Sequence, residues 1–66
     1  MTRSMELMER ALEKKTAAAW ARELNITAQV FSMAKRVNRI SPALAGNLAI
    51  ELGEPPERWI AIAALE

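Results

Sequence analysis

Helix-starting and helix-stopping residues recur roughly every dozen positions along this 66-residue chain, so whatever it builds must be built from short helices. Ser4 predicts the N-cap of a first helix reaching about Lys14, with Leu7, Met8, Ala11 and Leu12 as one apolar stripe. Thr16 is placed to cap an alanine-rich helix through Leu24. Asn25, a residue that tolerates a left-handed backbone, is placed to stop it. Thr27 predicts the cap of a third helix running to about Val37. Ser41-Pro42, a capping residue followed by proline at the first helical position, starts a fourth that ends at Gly53. Glu54-Pro55-Pro56 then turns the chain into a last helix from about Glu57.

Between these stops Ala, Leu, Glu, Met and Arg dominate, β-branched residues are scattered, and no stretch alternates with period two for long. The expected fold class is therefore all-α, a compact bundle of five short helices. Helices of eight to twelve residues joined by links of two to four fit crossing helices better than one long coiled coil. At this length residues 1–66 form one domain, in the range where about 60% of the unfolded surface is buried and stability is marginal. Having no Cys and no His, the chain has no disulfide, no zinc site of the usual ligands and no imidazole base. No nucleophile–base pair, metal set or phosphate loop is legible either, so the expectation is a non-enzyme with no cofactor, no metal and no small-molecule ligand. No window approaches the roughly 18 apolar residues of a membrane span, and with Glu6 and Glu9 near its start there is no signal-peptide run. The cytoplasm is the default compartment.

The formal charge of +1 conceals a division along the chain. Residues 1–23 carry +1, and residues 24–50 carry Lys35, Arg36 and Arg39 with no acid at all, which is +3. Residues 51–66 set Glu51, Glu54, Glu57 and Glu66 against Arg58, which is −3. A basic middle between mixed and acidic flanks implies a charged working surface on a folded domain rather than a polyelectrolyte tail.

That basic middle is two-faced when wound at about 100° per residue. Val30, Phe31, Ala34 and Val37 fall in one arc with Met33 at its edge, which predicts the buried face. The opposite arc collects Ala28, Gln29, Ser32, Lys35, Arg36 and Arg39: small residues, an amide, a hydroxyl and three cations. Such a mixture suits a helix in the DNA major groove. There Gln pairs bidentately with adenine, Arg with guanine, and a small side chain lets the backbone approach the base edges. The preceding helix matches it: Ala17, Ala18, Ala19 and Ala21 leave it thin enough to be crossed closely, with Trp20 and Leu24 as anchors.

Ala21, Asn25, Ile26, Phe31 and Ala34 have the spacing of a helix-turn-helix. On these residues, positions 16–53 resemble the lambda-repressor-like, or Cro-like, regulators, and the whole length is similar to the short Cro-like regulators of phages and prophages. The resemblance implies that the third helix is the recognition helix and that a homodimer binds double-stranded DNA at a palindromic operator. Carried over position by position, Thr27, Ala28, Gln29, Ser32 and Arg36 fall where the family contacts bases and adjoining phosphates. The expected base contacts are then Ala28, Gln29, Ser32 and Arg36, and the expected phosphate contacts are Thr16, Arg22, Thr27, Lys35 and Arg39. Trp20, Ala21, Leu24, Ile26, Val30 and Phe31 fall on the family's core positions. Asn25 stands where the family usually has glycine, Ala28 where it often has a polar base reader, and Ala34 where a larger residue is common. Phe31, Trp59 or Met33 is then expected to fill the space beside Ala34.

The remaining residues have plainer readings. Trp20 and Trp59 are expected as core anchors, and Met1, Met5, Met8 and Met33 as gap fillers. Glu6, Glu9 and Glu13 are expected to pair locally with Arg10 and Lys14. Gly46 interrupts the fourth helix, which is tolerable where another helix packs closely. The run from Trp59 to Leu65 is apolar on all sides, more than one face of a terminal helix can bury. Trp59, Ile62 and Ala63 are expected to face the core, leaving Ile60, Ala64 and Leu65 for a homodimer contact. The alternative reading is a protein-binding module, antirepressor or antitoxin-like, that uses this apolar helix to hold another chain.

Overall fold

A computed structural model describes residues 3–66. Its order is α1 (Arg3–Lys14), α2 (Ala17–Leu24), α3 (Gln29–Val37), α4 (Pro42–Leu52) and α5 (Pro56–Ala64), with no strand among the described residues. The all-α expectation holds, and the starts and stops read from the sequence mostly coincide with the observed ones. The Oγ1 of Thr16 accepts the N–H of Ala19 at 3.2 Å, and the Oγ of Ser41 accepts that of Leu44 at 3.2 Å. Each satisfies an amide that the first helical turn leaves without a backbone partner.

Three helices end alike. Asn25 (φ 57°), Asn38 (φ 60°) and Gly53 (φ 73°) are left-handed, and the next amide reaches back to close the last turn. Those closures are Ile26 to the Ala21 carbonyl at 2.8 Å, Arg39 to Ala34 at 3.1 Å and Glu54 to Ala49 at 2.8 Å. Asn38 is the stop that the reading of the sequence did not single out.

Two caps depart from expectation. Thr27 does not cap α3: that helix starts from Ala28, which is already helical (φ −63°, ψ −21°) and has no side-chain acceptor to offer. Ser4 lies inside α1 and is fully buried, because the chain's other end closes over it. The Glu66 carboxylate accepts the Ser4 N–H at 3.2 Å and also the Ser4 hydroxyl. A carboxylate thus serves the N-terminal end of α1, where the helix dipole favours negative charge.

One apolar core joins all five helices. Leu7, Met8, Trp20, Phe31 and Leu48 are its largest fully buried apolar side chains, with Trp59 and Ala63 brought in from α5. Trp20 satisfies its indole by donating to the Ala11 carbonyl at 2.6 Å. Met5 and Met8 fill the core as expected, whereas Met33 does not, and Met1 lies outside the described residues. Val37 is also a correction: it is 55% exposed, because the core takes only Phe31, Ala34 and part of Val30 from α3.

The ion pairs differ from the local ladder expected on α1. Among the described residues they are Arg10–Glu54, at 2.9 Å, and Lys15–Glu23. Arg10 therefore ties α1 to the α4–α5 turn. Lys15 also stacks over the Trp20 ring, 4.6 Å from its centroid. No described helix is long and apolar enough to cross a membrane.

Candidate nucleic-acid interface

Because α2 is thin and ends in a tight left-handed turn, only residues 25–28 separate it from α3. Phe31 and Ala34 are buried and Val30 is half-buried, which fixes the rotation of α3 about its axis. The exposed positions of α3 are then Gln29, Ser32, Met33, Lys35, Arg36 and Val37, preceded by exposed Thr27 and Ala28. Nine residues make a rod about 13 Å long, and a major groove about 12 Å wide accepts such a helix lengthwise.

The exposed residues of α3 do not form one uniform patch. Gln29, Ser32 and Arg36 follow i, i+3, i+7 spacing, and Gln29, Met33 and Arg36 follow i, i+4, i+7, so all four share the outward ridge. Arg36 enters no ion pair among the described residues. Lys35 is turned to one flank, where it lines a cleft with Met8, Glu9, Glu13 and Asn38. On the other flank a groove of about 610 Å³ runs between α3 and the end of α5, lined by Gln29, Met33, Val37, Arg39, Pro42 and Ala64 among others. Arg39 is held there by donating from Nη1 to the Glu66 backbone carbonyl at 3.0 Å.

The site residues expected from the sequence thus divide. Ala28, Gln29, Ser32 and Arg36 are all exposed at or along α3. Thr27 shares the groove with Gln29, while Lys35 faces α1 rather than the ridge. Arg22 is exposed on α2 and Thr16 just before it, with the Thr16 oxygen already engaged as a cap. The reading of the sequence missed Met33. It is 50% exposed and stands four residues after Gln29 and three before Arg36, a spacing that was legible beforehand.

Of the residues expected to make a dimer contact, Ala64 lines the groove beside α3 and Leu65, just beyond α5, is 88% exposed. Ile60, one turn earlier on α5, lies over Gly46 of α4: a β-carbon placed on that glycine would come within 2.9 Å of Ile60 Cδ1. The close approach accounts for a glycine inside α4. Trp59 and Ala63 face the core and Ile62 is half-buried, as expected.

Electrostatically the ridge stands apart from the shifted carboxylates. The Arg10 guanidinium, aided by the Trp59 indole, holds the Glu54 carboxyl below the usual carboxylate range, and Lys15 does the same for Glu23. Burial pushes Glu66 up, but hydrogen bonds from Ser4 and Arg3 outweigh it and the net direction is down. Among the described residues no group of three or more acidic side chains could hold a metal ion. No protein-family model matches the chain, and no curated protein or solved structure matches it either.

Proposed function

We propose that this protein is a sequence-specific DNA-binding regulator of the Cro-like helix-turn-helix kind, which lays α3 in the major groove. One observation carries the reading. The outward ridge of α3 presents Gln29, Ser32, Met33 and Arg36 together, on a helix whose rotation is fixed by buried Phe31 and Ala34, within a segment of +3 that holds no acid. The groups suit their roles: a Gln amide for adenine, a guanidinium for guanine, and an apolar side chain for the thymine methyl. Ala28, just before the ridge, lets the backbone come close.

In this reading Thr27, Thr16 and Arg22 contact phosphates along one edge and Lys35 along the α1 flank. Arg39 does so after leaving the Glu66 carbonyl. The operator is palindromic and a homodimer binds it, with two α3 helices about 34 Å apart on one face of the duplex. A body measuring 26 × 25 × 19 Å is small enough for two adjacent copies to meet that spacing. Ala64 and Leu65, both exposed, supply the contact between copies.

Selection of bound sequences from a random duplex pool tests the proposal. An enriched palindrome is expected; a pool that stays unenriched through repeated rounds at low salt overturns it.

A further inference from the structure

A second exposed surface, opposite in character to the α3 ridge, lies on the outer side of α4 and α5. The chain reverses over residues 53–55, so the two helices run against one another, with Ile60 lying over Gly46. One turn either side of Gly46 on α4 stand Ala43 and Ile50, both exposed. With Ile60 they make an exposed apolar strip along the seam, in which Ile50 is 62% and Ile60 40% exposed.

The borders of this strip are acidic. Glu51 follows Ile50 on the side where Glu23 of α2 approaches it, and Glu57 stands one turn before Ile60. Both are exposed. Glu54, in contrast, is engaged by Arg10 and Trp59. Arg58, the one cation among residues 51–66, lies about 160° around α5 from Ile60, on the far side.

We infer that this strip docks a basic amphipathic helix of a partner protein. Two antiparallel helices with aliphatic residues along their seam offer the shape that a third helix fills, and anchors at i, i+3, i+4 and i+7 are what such a helix brings. The acidic borders set its charge: Lys or Arg beside its anchors finds Glu51 and Glu57. They also exclude other occupants. A second copy meeting this face across a two-fold axis would set Glu51 and Glu57 against their own counterparts. Anionic lipid and nucleic acid are repelled by the same carboxylates. The inference does not depend on DNA binding by α3.

The test uses the full chain and a labelled peptide of about 18 residues, long enough to hold a helix, with leucines at the anchor spacing and lysines elsewhere. A glutamate-for-lysine counterpart serves as control. Fluorescence anisotropy is expected to give saturable binding of the lysine peptide, with a Kd on the order of tens of micromolar at low salt, and none of the glutamate peptide. Ile50→Ser should weaken binding about fivefold and Glu57→Lys about tenfold, while Arg36→Ala leaves it unchanged. Both seam residues are exposed, and unchanged melting curves verify that the variants fold.

The inference is overturned by absence of saturable binding, by equal binding of the two peptides, or by binding that Ile50→Ser and Glu57→Lys leave intact. It is equally overturned if sedimentation equilibrium shows a dimer that Ile50→Ser converts to monomer, since the strip is then covered by a second copy.

Discussion

Helices α3 and α4 are neighbours in the chain and of similar length, yet the core holds them in very different ways. From α4 it takes Leu44, Ala45, Gly46, Leu48 and Ala49; from α3 it takes only Phe31 and Ala34 in full. Helix α4 packs on both α1 and α5, and that trio is the scaffold. Helix α3 is held along a narrow stripe, and six of its nine residues remain exposed for contact with something else. A small domain can thus separate the residues that keep it folded from those free to act, and each side of that separation can be attacked by mutation.

The largest effect is expected on the scaffold side. Leu48 is fully buried, and Leu48→Ala should cost about 2–5 kcal/mol. Total stability for a chain of this size is only about 3–10 kcal/mol at the usual density per residue. Much of the protein should therefore be unfolded at physiological temperature, read as a collapse of the urea midpoint. A midpoint as high as wild type would mean that α4 is not the scaffold.

On the acting side, Arg36→Ala should leave the thermal midpoint nearly unchanged, within about 0.5 kcal/mol, because the side chain is exposed and enters no ion pair among the described residues. It should weaken binding to a selected DNA site by about 1–3 kcal/mol at fixed salt. Lys35→Ala, on the α1 flank, should mainly reduce the salt slope. If Arg36→Ala alters melting but not DNA affinity, α3 belongs to the scaffold and the comparison fails.

How far the sequence reveals these two sides follows from the range of the interactions involved. Caps and left-handed stops are set within five residues, so Thr16, Asn25, Ser41 and Gly53 could be read directly. Contacts that join distant segments leave no such local trace. Arg10 meets Glu54 rather than a carboxylate on its own helix, and Ser4 looks like a cap until Glu66 closes over it. For α3 the wheel gave the axis of the buried face but overestimated its width. In so small a core two side chains suffice to anchor a helix, which leaves Met33 and Val37 outside.

The caps offer a finer test of the two sides. Thr16→Ala and Ser41→Ala each remove one side-chain acceptor, from the start of α2 and of α4, at about 1 kcal/mol apiece, or roughly 4–8 °C in melting temperature. Amide exchange should show where each loss is felt. Loss of Thr16 is expected to accelerate exchange mainly in α2, and loss of Ser41 to accelerate it throughout the core. Equal, global acceleration in both variants would mean that α2 unfolds only with the scaffold.

A smaller effect is expected from acid. Glu54 is lowered by Arg10, so the pairing contributes stability above the unfolded carboxyl value, about 4.3, and loses it as pH falls through the lower folded value. Wild type should lose melting temperature as pH drops from about 5 to 3, and Glu54→Gln should lose less over that window. Exposure and screening keep the difference modest. Parallel curves for the two proteins would remove the Arg10–Glu54 tie from the account of the scaffold.

The smallest net change is expected at Gly46, where two opposing terms nearly cancel. Replacing an interior helical glycine by alanine gains about 1 kcal/mol of helix propensity. The new methyl would meet Ile60 Cδ1 at 2.9 Å and Cγ1 at 3.0 Å, closer than carbon atoms tolerate, so something must move. What it meets is the outer end of a flexible side chain that is already 40% exposed, and Ile60 can turn outward without disturbing the backbone. Gly46→Ala should therefore fold with a stability within about 1 kcal/mol of wild type while exposing more of Ile60, and Gly46→Val, with more to displace, should be clearly destabilised. If the alanine variant loses as much as Leu48→Ala does, Ile60 is clamped and belongs to the scaffold rather than to a surface free to receive a partner.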